Sequence, residues 1–84
     1  MFTIESIHRN EFNNGNPLVV RTEFSEHERT KSENYFSAAI HNAIRDFTRY
    51  GSSEVLISRS ESPTCQTITI SNKNESVQIQ WNWS

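Results

Sequence analysis

Val77-Gln78-Ile79-Gln80-Trp81-Asn82-Trp83 is the stretch that decides the fold. Apolar side chains hold every odd position and polar ones every even position. A period of two marks a strand with one face on a core and the other in water. Just upstream, Cys65-Gln66-Thr67-Ile68-Thr69-Ile70 is rich in β-branched residues, with Ile68 and Ile70 on one face. The polar Asn72-Lys73-Asn74-Glu75 between the runs predicts a tight turn, and hence an antiparallel hairpin. Further upstream, Glu54-Val55-Leu56-Ile57-Ser58 reads as a short strand. Its continuous apolar triplet predicts a central place in the sheet. Residues 59–64, with Pro63, read as the loop that joins it to the hairpin.

The pattern changes period before that. Phe36, Ile40, Ala43, Ile44 and Phe47 fall on one face of a 3.6-residue repeat, which predicts a helix over 32–50. Thr30-Lys31-Ser32-Glu33 matches a capping box and Gly51 a stop, while Arg45 and Arg49 suit the negative end of the helix dipole. Ser25 and Glu28 offer an earlier start, but 25–31 holds no apolar residue and reads as a loop. Leu18, Val20, Thr22 and Phe24 alternate with Val19, Arg21 and Glu23, giving another strand. The first strand, 2–9, is less regular: Ile4 and Ile7 face opposite ways unless a bulge intervenes. Asn14-Gly15 between the two is a hairpin-turn signal. The expected fold is α+β, a single helix packed on an antiparallel β-sheet in the order β-β-α-β-β-β, forming one domain over 1–84.

Composition narrows the function classes. Of 84 residues only 33% are hydrophobic, and the surface must carry twelve serines, nine asparagines and seven threonines. Low net charge, −2, and nine aromatic residues argue against disorder. The same charge argues against a strongly basic nucleic-acid domain and a heavily acidic DNA mimic. No run approaches the length of a membrane span and no secretory apolar segment opens the chain, so a cytoplasmic location is expected. Asn74-Glu75-Ser76 and Asn82-Trp83-Ser84 match the glycosylation pattern and read as coincidences of an Asn- and Ser-rich chain.

Catalytic signals are weak. Cys65 as a nucleophile would need His8 or His41 as base and Asp46 as orienting group, and no local motif surrounds it. Glu26-His27-Glu28 offers metal-type ligands without a geometric spacing. Two glycines exclude a glycine-rich phosphate loop. No catalytic residue, metal ligand or cofactor is assigned, and an enzyme is not expected. Six of the eight basic residues are arginines, and His41, Arg45 and Arg49 recur every four positions. That stripe supports nucleic-acid binding as a secondary reading, with Tyr35 or Tyr50 adding stacking. Trp81 and Trp83 cover one end of the core or, in the case of Trp83, project as an anchor for another protein. The candidate interaction residues are therefore Trp81, Trp83, Arg45, Arg49, His41, Arg59, Glu26 and Glu28, the last three from the loops beside the sheet.

Small size, one helix, a β-rich order and the lack of catalytic motif, disulfide framework or signal peptide resemble the inhibitors carried by phages and mobile elements. Anti-CRISPR proteins are the best-known group. The resemblance lies in size and architecture and assigns no residue a role. It implies a protein that blocks a host nuclease or ribonucleoprotein surveillance complex in the host cytoplasm by occupying its surface. A homodimer built on an exposed strand edge is the structural alternative.

Overall fold

The computed structural model describes residues 1–10, 16–49, 55–72 and 75–83. Its elements are β1 (Phe2–Asn10), β2 (Leu18–Phe24), a short 3-10 turn (Glu26–Glu28), α1 (Arg29–Arg49), β3 (Leu56–Ser62), β4 (Cys65–Ser71) and β5 (Glu75–Trp83). The five strands form one antiparallel sheet in the order β2-β1-β5-β4-β3, with α1 packed across one face. This is the α+β architecture that the alternating and helical periods predict.

Strand register places the core. Ile4 lies opposite Trp81, Ile68 opposite Ile79 and Ile70 opposite Val77. With Phe36 and Phe47 from α1, these side chains are the buried apolar residues. Phe2, Ile40, Ala43, Ile44 and Trp83 pack around them partly buried. Because β2 and β3 are opposite edges, the chain must cross the whole sheet between them. Four strand spacings are about 19 Å. The 21 residues of α1 reach about 31 Å, enough to cross obliquely.

Local chemistry closes the turns. Asn72 Oδ1 accepts from the Glu75 N–H, and the Asn72 N–H donates to the Glu75 carbonyl, both at 2.9 Å. Ser62 pairs with Cys65, leaving Pro63-Thr64 as a two-residue turn. The Asn14-Gly15 turn, the Gly51 stop and Glu54 lie outside the described residues.

Three expectations are corrected. The apolar triplet near residue 56 does not mark a central strand: β3 begins at Leu56, is the sheet's edge, and is exposed along its length. Its strand also runs on through Arg59 to Ser62, where a loop was expected. The central place goes to β5, flanked by β1 and β4, each of which also has a strand on both sides. Second, 26–31 is not a loop, and the earlier of the two capping boxes is the one used. Glu28 Oε1 accepts from the Ser25 N–H at 3.0 Å, and α1 starts at Arg29. Third, β1 needs no bulge. Its pairing with β5 is continuous, so Ile4 enters the core and Ile7 lies opposite Gln78 on the other face.

Candidate functional site

The helix covers the sheet incompletely, and this leaves a concavity among the described residues. A groove of about 450 Å³ opens between α1 and the β2–β1–β5 side of the sheet. Phe47, Val77 and Ile79 form its floor, and Ala39 and Ala43 its helix wall. Alanine at those two positions leaves the space that a larger side chain would fill. Leu18 and Val20 form the opposite lip, 61% and 49% exposed. On the polar rim, Glu75 Oε2 accepts from His8 Nε2 at 2.9 Å, and Asp46 stands on the helix side. Among the described residues, two carboxylates against one imidazole make the rim acidic. An apolar trough with an acidic rim matches a side chain with an aliphatic stem and a cationic head.

A second groove of about 360 Å³ lies toward β3, lined by Phe36, Ile40, Arg59, Gln66 and Trp81 with Glu33, Asn34 and Ser37. On the opposite face of the sheet, alternate residues put Thr3, Glu5 and Ile7 of β1 beside Gln78, Gln80 and Asn82 of β5. Thr67 and Thr69 of β4 continue that surface. No element covers it among the described residues.

The interaction residues expected from sequence do not converge on one site. Trp81 is 5% exposed and belongs to the core, where its Nε1 donates to Ser32 Oγ at 3.2 Å. Trp83 is half-buried against Trp81, ring centroids 4.8 Å apart. His41 and Arg45 are exposed on α1, away from the core-facing Phe36 and Phe47, while the side chain of Arg49 lies outside what is described. Arg59 sits in the second groove. Glu26 is exposed at the helix start, and Glu28 is engaged in capping there, with Lys31 Nζ donating to it at 3.4 Å. The backbone N–H of Ser25 holds the Glu28 carboxyl below its ordinary value, helped by the Ser25 side chain and by Lys31.

The Cys65-centred constellation is not formed. Cys65 pairs with Asn82 on the open face, whereas His8 and Asp46 line the groove on the helix face, so the sheet separates them. Among the described residues no three His, Cys, Asp or Glu side chains cluster as metal ligands, and no helix is long and apolar enough to cross a membrane. The groove and its His8–Glu75 pair were missed in the sequence. The parity of the strands holds the signal: His8 shares the face of Ile4, and Glu75 that of Val77. Reading it requires the β1–β5 register, which brings together residues 67 positions apart. Comparison with protein-family models, with curated proteins and with solved structures returned no match for the chain.

Proposed function

We propose that the chain is a non-enzymatic binding protein that acts by occupying the surface of a protein partner, as phage and mobile-element inhibitors of host defence complexes do. The observation that carries this reading is the groove between α1 and β2. It is concave and apolar, has an acidic rim, and is flanked by exposed Leu18 and Val20. Interface hot spots are apolar pockets of this kind, filled by one anchoring side chain of the partner. The rim favours an arginine or lysine as that anchor. Size and element order support the inhibitor role. Nucleic acid is the poorer fit, because the groove is acidic and the open sheet face offers no aromatic platform among the described residues.

The test is expression in bacteria that carry active CRISPR or nuclease-based defences. The chain is expected to restore plating of a targeted phage and to co-purify stoichiometrically with one defence complex. Leu18→Asp, at an exposed lip, is expected to lose both effects while leaving the circular dichroism spectrum unchanged. A panel of defences with neither protection nor a stoichiometric partner overturns the reading.

A further inference from the structure

The outer edge of β2 and its charge order point to a second surface, which shares Leu18 and Val20 with the lip of the groove and otherwise lies outside it. Edge strands expose unpaired N–H and C=O groups, and proteins usually block them with proline, charged side chains (lysine above all), bulges or covering elements. β2 has no proline and no lysine, its pairing with β1 is continuous, and among the described residues it stands at the end of the sheet. It also exposes Leu18, Val19 and Val20, with apolar side chains on both faces. Its only charges are Arg21 and Glu23, neighbours on the open face whose side chains meet at 3.2 Å.

The geometry points to β2 as a self-complementary edge that pairs antiparallel with β2 of a second copy of this chain. Alternate residues of a strand turn their N–H and C=O outward, so a two-fold pairing must match residues of the same parity. That leaves few registers. One centred on Arg21 sets two guanidinium groups opposite each other, which like-charge repulsion disfavours. One centred on Val20 places Arg21 opposite Val19 and leaves Glu23 outside the paired strands. Centring on Thr22 puts Arg21 opposite Glu23 of the second copy, and Glu23 opposite its Arg21. On the helix face the same register sets Val20 opposite Phe24 of the second copy. Phe24 is already held against Tyr35, ring centroids 5.6 Å apart, and Tyr35 is 43% exposed beside that edge. Each copy would thus close over the other's Val20 with an aromatic pair. The opposite edge fits less well. A two-fold pairing of β3 centred on Ser60 matches Arg59 with Glu61 but sets only Ser58 opposite Ser62, where β2 sets Val20 opposite Phe24. The product is a ten-stranded sheet with both grooves on one side.

Sedimentation equilibrium of the isolated chain tests this, with no partner present. The wild type is expected to associate reversibly to a dimer. E23R and R21E, each with a melting curve to confirm folding, are expected to weaken self-association about ten-fold or more, because two attractive pairs become repulsive. Mixing E23R with R21E is expected to give a heterodimer, and the double swap R21E/E23R to restore the homodimer. The proposal is overturned by a wild type that stays monomeric at every concentration, by a dimer indifferent to these variants, or by one that only Arg59→Glu disrupts. Phage-plating results bear on the groove and leave this outcome separate.

Discussion

Trp81 and Ser32 show how a single contact seats the helix. Ser32 is fully buried in the first turns of α1; its Oγ donates to the Arg29 carbonyl at 2.8 Å and accepts from Trp81 Nε1 at 3.2 Å. Both partners are removed from water, so an orphaned indole N–H is costly. Ser32→Ala is expected to lower stability by about 1–3 kcal/mol in urea denaturation. Trp81→Phe added to Ser32→Ala should cost less than the two single changes summed, since no donor then remains unmet. Glu28 acts at the other scale of exposure. Its folded-state carboxyl is held below the ordinary glutamate range by the Ser25 N–H first. The stabilisation it gives is therefore complete above the unfolded value and is lost as pH falls through the lower, folded one. NMR titration should show the Ser25 amide and first turn of α1 loosening over that acidic interval, and Glu28→Gln should remove the dependence. Sequence gave both a start at Ser25 and one at Thr30. Both match a capping box, and the one at Ser25 is used, with the Glu28 carboxylate on the Ser25 N–H; the apolar face that begins at Phe36 carries no information about it.

Among the elements, β5 was the most legible because a two-sided environment was written into every residue. Val77, Ile79 and Trp81 are buried, and the polar residues between them face the open side. β3 was the least legible. Val55-Leu56-Ile57 has the apolar run of an interior strand, yet Leu56 and Ile57 are 71% and 52% exposed. Hydrophobicity reports a tendency to be covered, whereas edge position follows from how many strands flank it, which no local window contains. Ile57 and Ile70 lie opposite each other and so provide a controlled comparison. Ile70→Ala is expected to cost about 2–5 kcal/mol as a core cavity, and Ile57→Ala under about 1 kcal/mol, read from urea midpoints at constant slope. The outward face of α1 can be tested as simply. Arg45→Glu should shift stability by less than about 0.5 kcal/mol. Gel retardation with duplex DNA or single-stranded RNA should be absent in both wild type and variant; salt-dependent retardation abolished by Arg45→Glu would move the function to the His41–Arg45 stripe.

At the scale of the molecule, one sheet carries two unlike faces and two unlike edges, and the polar composition becomes intelligible. Serine, threonine, asparagine and glutamine populate much of the uncovered face and β3, while most of the limited apolar content goes to the helix interface and the lips of the groove, Ile7, Val19, Leu56 and Ile57 being exceptions. The class of fold was thus readable from periodicity, but the groove was not, since it is made where α1, β2 and β5 meet. The pairing of β1 with β5 has a further consequence for how the chain comes into being. Phe2 lies opposite Trp83, so the middle of the sheet joins β1 to β5, the two strands farthest apart along the described residues. During vectorial synthesis β1 can zip only with β2. The isoleucines of β4 must wait for the tryptophans of β5 to leave the ribosome. Contacts this distant along the chain make folding slow and leave apolar strands uncovered meanwhile. A nascent chain arrested before β5 is expected to be a chaperone client rather than a partial fold, and its abrupt protection from protease once β5 emerges would report the closing of the centre.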